Sequence, residues 1–500
     1  MPTLDRLQSL DHQHVWHPFT PMRQWHEAPP LVIERGEGPY LFDTDGRRYI
    51  DGVSSLWCNV HGHRVPQLDA AVRDQLDKIA HTTLLGLASP PSIELAARLV
   101  GMATDQLGPV PGGDKLNKVF YTDAGATAVE VAFKMAVGYW HHRGRPEKHR
   151  FIGLEGAYHG DTVGTMSVGY SELFHRPFSR MVFPVDWFPA PDACRPPAGF
   201  GGVGRPCDTS AGWPSEDAAL GEALAEYCLG RLEAMLQTQA DQTAAVVLEP
   251  VMQGAAGMVC QPPGFVGRVA RLAREYGVLL IADEVAVGFG RTGRLLACGH
   301  DGVCPDILCL AKGLTAGYLP LAATLTTDAV FDAFTGEAGE RKTLYHGHTY
   351  TGNPLACAAA LASLDLFEAP TAGSPDLLTH IQRAEALMRD RLAPLRDCAH
   401  VRDVRQRGIM VGIELDPRSP RGAEPSAERT GAGTDEQAQA EVFDFSRTDG
   451  QAICRALRER GVIIRPLGNV LVLMPIPATP LEVLGELVDR MVDAVLGSAG

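Results

Sequence analysis

The sequence has little of what a nucleic-acid-binding or membrane protein needs. Its 500 residues hold 45 Lys and Arg against 60 Asp and Glu, which gives a formal net charge of −15, and no dense basic block is present. Because a nucleic-acid surface requires clustered positive charge, we expect no nucleic-acid partner. No run of about 18 uncharged apolar residues occurs, so we also expect no membrane-spanning segment.

The sequence also lacks an export signal and a cysteine framework. The N-terminal stretch MPTLDRLQSLDHQHVW has early acids and no apolar core, unlike a signal peptide. The 11 cysteines are an odd number, lie scattered and include no C-x-x-C pair. This pattern indicates neither a zinc site nor a disulfide scaffold. We expect reduced thiols, no metal site and a cytoplasmic location.

What the sequence does have is an alternation of short apolar runs and longer helical patterns. Runs that are apolar on both faces are typical of strands in a parallel sheet covered by helices. The alternation therefore predicts an α/β fold with a mostly parallel sheet in a three-layer large domain. The predicted strands cover 118–123, 150–155, 244–250, 277–285, 307–311 and 321–327, and helical patterns between them cover 126–140 and 264–276.

The length of the chain predicts more than one domain. Residues 191–216, rich in Pro and Gly, predict a surface loop, and the polar stretch 416–440 predicts a mobile insertion. The predicted strands 408–415, 461–466 and 470–476 follow the large domain. The expected parts are an N-terminal segment over 1–60 that contributes to the small domain and the substrate pocket, a large domain over 61–344 and a smaller α+β domain over 345–500.

Two ionisable residues lie where neighbouring predicted strands end. Asp283 lies near the end of the run 277–285, and Lys312 follows the run 307–311. Ligands bind at the carboxyl ends of strands in α/β sheets. An Asp–Lys pair there suits pyridoxal phosphate (PLP), because the lysine can form a Schiff base with the aldehyde while the carboxylate keeps the ring nitrogen protonated. Taken alone, the two residues are more typical of a structural ion pair.

Three further segments offer contacts to such a cofactor. Gly125 lies between a strand and the helical pattern 126–140, which is typical of a phosphate site at a helix N-terminus. Tyr158 is flat enough to stack on a ring. Glu249 ends another strand. Each segment taken alone is also typical of an ordinary turn, a loop aromatic or a helix cap.

Five segments together resemble the class III aminotransferases of PLP fold type I. They are EGAYHGDT, LEPVMQGAAG, ADEVAVGFGRTG, LAKGLTAG and HGHTYTGNPLACAAA. The resemblance extends from about residue 12 to 490 and leaves out 416–440. It implies an aspartate aminotransferase-like α/β fold, PLP as cofactor and a homodimer with shared active sites.

The resemblance also implies roles for individual residues. Lys312 would bind the cofactor aldehyde and move the proton, Asp283 would pair with the ring nitrogen, and Tyr158 would stack near the ring and border the substrate. The further cofactor contacts that it implies are Gly125, Ala126 and Glu249 in the same chain, with His348 and Thr349 reaching the site of the partner subunit.

Within the family, the segments 15–22, 51–63 and 463–475 resemble the branch that acts in biotin synthesis. This branch converts 8-amino-7-oxononanoate to 7,8-diaminononanoate with S-adenosylmethionine as amino donor. Arg465 would bind the keto acid's carboxylate through its planar guanidinium. The other implied substrate contacts are Phe19, Leu56, Trp57, Tyr158 and, from the partner subunit, Gly347.

Three places depart from the usual pattern of that branch: the phosphate turn, residue 19 and residue 56. The phosphate turn usually reads Ser-Gly-Ser, but here it is Ala124-Gly125-Ala126; the lost hydroxyl contact is worth roughly 1 kcal/mol, and Thr127 offers a replacement. Phe19 replaces a tyrosine and Leu56 replaces a tryptophan. These changes leave lysine open as the donor. The remaining alternatives are a class III ω-aminotransferase of ornithine, 4-aminobutyrate or a polyamine, and a non-catalytic PLP-binding regulatory subunit.

Overall fold

A seven-stranded sheet forms the centre of the protein in the computed structural model, which describes residues 3–201, 213–416 and 449–498. The order across the sheet is β4 (Leu116–Thr122), β12 (Ala322–Thr327), β11 (Ile307–Leu310), β10 (Leu279–Asp283), β7 (Thr243–Leu248), β5 (Arg150–Leu154) and β6 (Asp186–Phe188). One strand, β12, runs antiparallel to both neighbours, and the remaining strands run parallel to one another. The predicted mostly parallel sheet is therefore confirmed.

Helices cover both faces of the central sheet and also lie beside the smaller sheets. Both predicted central helices are present, each within two residues of its expected bounds. The helices are α1 (Leu4–His14), α2 (Met22–Trp25), α3 (Pro66–Leu76), α4 (Pro90–Leu107), α5 (Gly125–His142), α6 (Val163–Val168), α7 (Glu172–His175), α8 (Ala218–Gln239), α9 (Phe265–Glu275), α10 (Asp328–Asp332), α11 (Pro354–Glu368), α12 (Leu377–Leu392), α13 (Asp449–Glu459) and α14 (Leu481–Gly497). Within the described ranges, no helix has the length and apolar character that crossing a bilayer requires.

Alternate residues of the central strands face two separate cores, one on each side of the sheet. In β10, Leu280 and Ala282 belong to one cluster of buried side chains, whereas Leu279 and Ile281 belong to the other. Helix α5 contributes to the second cluster, and α4 and α9 contribute to the first. Burial on both faces explains why the strands appear as continuous apolar runs.

Two smaller four-stranded sheets complete the described chain, together with a short ribbon of β8 (Met252–Gln253) and β9 (Val259–Cys260). One small sheet contains β1 (Ile33–Glu37), β2 (Tyr40–Asp43), β3 (Arg48–Asp51) and β15 (Val462–Ile463), and the other contains β13 (Val401–Arg407), β14 (Met410–Leu415), β17 (Val470–Leu473) and β16 (Arg465–Leu467). The predicted strand 461–466 is in fact two strands, because the chain passes from one small sheet to the other at Ile464. The predicted domain boundaries stay a prediction.

A single turn after β3 has the opposite hand from the helices. All four of its residues, Ser54–Trp57, have positive φ, with values of 47°, 49°, 73° and 68°. We call this segment the left-handed turn. L-residues adopt this conformation rarely and usually singly, so the surrounding structure must hold it.

The Pro- and Gly-rich segment 191–216 is not simply a surface loop. Asp192, Cys194 and Trp213 are buried, and the Cys194 thiol lies 3.2 Å from an Asp403 carboxylate oxygen. The described ends of the segment are therefore packed against the protein, which its composition did not indicate. Residues 202–212 and 417–448, which include most of the predicted insertion, lie outside the described ranges.

Candidate active site

A cavity of about 630 Å³ lies at the carboxyl ends of the central strands. Strand β12 also begins there, since it runs the other way. The edge of the sheet therefore gathers loops that are distant in sequence. The cavity is lined by the predicted residues Lys312, Asp283, Tyr158, Glu249, Trp57, Gly125 and Ala126.

Asp283 is the fixed charge of the cavity. It ends β10 and is 3% exposed, and its Oδ1 accepts a hydrogen bond from the Val285 amide at 2.9 Å. Its Oδ2 lies 2.7 Å from Nδ1 of the buried His159. Burial alone would lower the pKa of His159, but the hydrogen bond and charge of Asp283 raise it. The pair can therefore hold a carboxylate charge inside the protein.

Lys312 lies just after the end of the neighbouring strand, β11. Asp283 is opposite Cys309 in the register of β10 and β11, and Lys312 begins the short helical turn Lys312–Thr315. Its φ is +45°, a strained value for a residue other than glycine. The ammonium nitrogen lies 5.0 Å from the centre of the Trp57 ring. Burial lowers the pKa of Lys312, against the opposing charges of Asp283 and Glu249, which favours a neutral amine.

Helix α5 begins at the cavity with Gly125, directly after β4. A Cβ at this position would lie 2.5 Å from Cγ1 of Val285, so the helix can approach this closely only with glycine. The Thr127 hydroxyl accepts a hydrogen bond from the Ala124 amide at 3.1 Å and donates one to the Ala124 carbonyl at 2.8 Å. Because this hydroxyl is already bonded within the turn, it does not replace the missing serine contact in the arrangement seen here.

The main chain of Tyr158 is hydrogen-bonded to the side chain of Glu249. The Tyr158 amide donates to Glu249 Oε2 at 3.2 Å, and the Gly254 amide donates to Oε1 at 3.1 Å. The Tyr158 hydroxyl lies 2.6 Å from Asp161 Oδ2, which fixes the ring. Burial raises the pKa of Glu249 to about 7, so this carboxyl group titrates near neutral pH.

Several predicted residues lie outside the cavity of this chain. Phe19 and Leu56 are 56% and 55% exposed, and Arg465 is exposed on β16. Gly347 and Thr349 are exposed on the loop before α11, with the half-buried His348 between them. The structure therefore brings the predicted cofactor-contact residues of one chain together in the cavity. It does not bring the other six predicted residues there: Phe19, Leu56, Gly347, His348, Thr349 and Arg465.

Sequence reasoning gave no role to two residues that the geometry makes prominent. His159 lies 124 positions before its partner Asp283, and only the order of the strands brings the two together. Cys58 lines the cavity next to Trp57. Although His159 directly follows Tyr158 in the chain, nothing in that segment indicates its partner, because the contact depends on β5 and β10 lying in one sheet.

The residues present fit PLP. The buried carboxylate of Asp283 suits a protonated ring nitrogen, and the half-buried side chain of Lys312 suits an aldehyde. The start of α5 directs main-chain N–H groups toward the cavity, which suits a phosphate. The three groups occupy one cavity, as the three ends of a single flat cofactor require.

Comparisons with known proteins agree with this geometry. Residues 22–495 match the family model described as aminotransferase class-III. The adenosylmethionine-8-amino-7-oxononanoate aminotransferase of Geobacter sulfurreducens is 45% identical over 497 residues, which cover 99% of this chain and 98% of the relative.

Solved structures give the same result. The crystal structure of adenosylmethionine-8-amino-7-oxononanoate aminotransferase from Methanocaldococcus jannaschii is 39% identical, with a TM-score of 0.82 and 99% of both chains covered. A PLP-bound amine transaminase from an uncultivated Pseudomonas species is 34% identical, with a TM-score of 0.80, and the match covers 97% of this chain and 99% of that one. These neighbours confirm the predicted fold class, and the chain belongs to the class III aminotransferase family.

Proposed function

We propose that this chain is a PLP-dependent aminotransferase that converts 8-amino-7-oxononanoate to 7,8-diaminononanoate in biotin synthesis. The observation that carries the proposal is the placement of Lys312 and Asp283 at adjacent strand ends in one cavity. The relatives named for this reaction match the chain over nearly its whole length, which supports the choice of substrate.

The cavity residues divide the work of holding the cofactor. The N–H groups at the start of α5, including those of Gly125 and Ala126, would bind the phosphate. Asp283, oriented by His159, would keep the ring nitrogen protonated. Tyr158, fixed by Asp161, would border the ring. When bound, PLP supplies a conjugated ring that accepts electron density from the substrate's Cα.

Lys312 carries the proton. Because burial lowers its pKa, the free amine is more readily unprotonated, so its Nζ can take the proton from the Cα of the donor, hold it and deliver it within the same cavity. The nearby Trp57 ring limits where the amine can lie. The same proton transfers in reverse would serve amination of the ketone of 8-amino-7-oxononanoate. Arg465, which is exposed outside the cavity, is the residue proposed to bind the substrate's carboxylate.

The amino donor is S-adenosylmethionine in this proposal, as in the names of the relatives. Lysine is the second candidate, because Phe19 and Leu56 stand where the usual pattern has a tyrosine and a tryptophan. Where these two positions border the donor, as the family resemblance implies, loss of a hydroxyl and an indole removes groups that could contact a large adenosyl donor.

A half-reaction experiment tests donor and substrate separately. PLP-loaded enzyme is mixed with S-adenosylmethionine, lysine, ornithine or 4-aminobutyrate, and conversion of the cofactor to its amine form is followed by absorbance. We expect S-adenosylmethionine to convert it, and 8-amino-7-oxononanoate to restore the aldehyde form. Conversion by ornithine or 4-aminobutyrate alone, with no response to the keto acid, would contradict the proposal.

The proposal includes a homodimer with shared active sites. Leu85 and Tyr350 are 90% and 58% exposed, and the His81 and Tyr350 rings lie 4.9 Å apart, so the two segments meet at the surface. Clustered exposed apolar side chains are typical of an interface. Gly347 and Thr349 lie within three residues of Tyr350 in the chain, so an interface at this surface would bring them to a second subunit.

A cytoplasmic location also belongs to the proposal. Each cysteine within the described ranges is a free thiol, which is typical of proteins from a reducing compartment. A cell-fractionation assay with tagged protein tests this.

A further inference from the structure

The left-handed turn Ser54–Trp57 has no intrinsic reason to form. The left-handed conformation is strained for L-residues, and none of the four is glycine. Such a segment persists only where its surroundings fix it.

A buried carboxylate holds one side of the turn. Asp51 is 1% exposed; its Oδ1 accepts from the Ser55 amide at 3.0 Å, and its Oδ2 accepts from the Ser55 hydroxyl at 2.7 Å. One side chain thus bonds both the main chain and the side chain of the same residue in the turn. Hydrogen bonds to a charged acceptor are stronger than neutral ones.

His63 orients that carboxylate. Its Nε2 lies 3.1 Å from Asp51 Oδ2, and its Nδ1 lies 3.2 Å from Asn59 Nδ2. The amide oxygen of Asn59 already accepts from the Gly62 amide at 2.8 Å, so Asn59 Nδ2 is the donor to His63. The neutral tautomer with its proton on Nε2 satisfies every bond in this chain of contacts.

Arg291 holds the opposite side of the turn. This guanidinium is 1% exposed and donates to the Ser54 hydroxyl at 3.0 Å and to the Asn59 carbonyl at 2.9 Å. The turn is therefore fixed between a buried anion and a buried cation.

The turn places Trp57 over Lys312. The Trp57 side chain is 9% exposed and its ring centre lies 5.0 Å from the lysine nitrogen. The Trp57 ring also packs on Gly254, where an added Cβ would lie 3.2 Å from it. Leu56, the preceding residue, stays 55% exposed. Because the turn is left-handed, Trp57 faces the Lys312 amine and Leu56 faces outward.

We propose that Asp51 and His63 are positioning residues, which set one wall of the substrate pocket by holding the left-handed turn. Neither residue is among those lining the cavity, so they act through Ser55, Leu56 and Trp57. The inference rests on the proposed function, because the wall matters only if the keto acid is bound there.

Kinetics of Asp51→Asn provide the first test. The substituted amide places N–H groups against the donors Ser55 and His63, so the turn loses its anchor. We expect the KM for 8-amino-7-oxononanoate to rise about tenfold while kcat falls less than about threefold. Adding Ser55→Gly should bring the KM back to within about threefold of wild type, because glycine adopts positive φ without a steric cost.

Fluorescence provides a second readout that does not require activity. Acrylamide quenching of the cofactor-free protein, compared with the same protein carrying Trp57→Phe, isolates one indole among six. We expect Asp51→Asn and His63→Gln to make Trp57 more accessible to acrylamide, and Ser55→Gly to reverse the effect in the Asp51→Asn background.

Asp43→Asn is the matched control. Asp43 lies in the same sheet, is 8% exposed and accepts from the Tyr49 hydroxyl at 2.7 Å and the Arg47 amide at 2.8 Å. It should lower the unfolding temperature without changing the KM or the quenching of Trp57. Equal effects of the two Asp→Asn changes, or no rescue by Ser55→Gly, would overturn the inference. A wild-type enzyme that fails to aminate the keto acid would overturn the proposed function instead, and the quenching data would still decide whether the turn is held as proposed.

Discussion

At the scale of single residues, environment rather than identity gives the site its chemistry. Lys312 and Asp283 are ordinary residue types, but burial lowers the pKa of the lysine, and His159 fixes the carboxylate at 2.7 Å. Sequence reasoning identified the pair because both follow apolar runs. It gave no role to His159, because a contact across 124 positions leaves no local pattern.

Replacement of Lys312 tests the residue on which the proposed chemistry depends most. We expect Lys312→Ala to lower turnover by at least about 10²–10⁴-fold, the usual contribution of a general acid–base group. Borohydride should link PLP covalently to the wild-type chain and not to the variant, as measured by mass spectrometry. Lys134→Ala, a change of an exposed lysine, is the control. Covalent attachment in the Lys312→Ala protein would refute the assignment.

Glu249 gives a prediction about pH. Burial raises its pKa from 4.5 to about 7, so between these values the folded chain binds more protons than the unfolded chain. Stability should therefore fall as the pH rises from about 4.5 to 7 and then level off. Glu249→Gln should reduce the loss of unfolding free energy over this pH range by up to about 3 kcal/mol.

Urea unfolding of the cofactor-free protein at pH 5 and pH 8 measures the effect. Some pH dependence should remain in the variant, because burial also raises the pKa of Glu284 to about 7. The exposed Glu226→Gln is the control and should behave as wild type. If Glu249→Gln and wild type lose equal stability between the two pH values, the raised pKa of Glu249 is contradicted.

At the scale of elements, sequence patterns predicted the central sheet, the main helices and two strands of a small sheet, β14 and β17, but not the shorter features. All six strands predicted for the large domain belong to the large sheet, because double-sided burial gives long apolar runs. The edge strand β6 has only three residues, too few for a pattern, and β13 (VRDVRQR) carries charges. The left-handed turn could not be predicted, since Ser, Leu and Trp do not favour positive φ.

Only some residues of the candidate site could be predicted from local sequence patterns. Its cofactor residues follow strands and could be found, whereas residues on irregular loops were assigned only through family resemblance. The hydroxyl of Thr127, which looked available in the sequence, is used inside its own turn.

Helix α5 offers a test at this scale. Gly125→Ala would place a methyl group 2.5 Å from Val285, and overpacking of this kind costs about 1–3 kcal/mol. The helix start should shift away from the phosphate, and PLP should dissociate faster during dialysis, as followed by absorbance.

Two further variants make the result specific. Val285→Ala in the same chain should restore PLP retention, because it removes the contacting methyl groups. Gly101→Ala is the control: it lies within α4, an added Cβ there meets no atom within 4 Å, and it should be neutral or stabilising. Unchanged PLP retention in Gly125→Ala would show that the close approach is not needed.

At the scale of the whole molecule, the proposed dimer predicts complementation. Thr349→Ala should weaken PLP retention in the site of the neighbouring subunit. Lys312→Ala should inactivate the site of the subunit that carries it. Co-refolding the two variants in equal amounts should give about a quarter of wild-type activity, because half of the dimers then contain one intact site.

The control mixes Thr349→Ala with the double variant Lys312→Ala/Thr349→Ala. No intact site can form in that mixture, so its activity should not rise. Activity at limiting PLP is the measurement for both mixtures. Absence of restoration in the first mixture would show that each site is built within one chain.

The pairing of β15 with β3 has a consequence for biosynthesis. Val462 lies opposite Ile50, so a ribosome makes the two halves of this small sheet some 400 residues apart, or roughly 20–80 s at about 5–20 residues per second. During that time the segment that carries Leu56 and Trp57 has been synthesised without the strand beside which it folds. A nascent chain of this protein can therefore complete this wall of the substrate pocket only after β15 has been made.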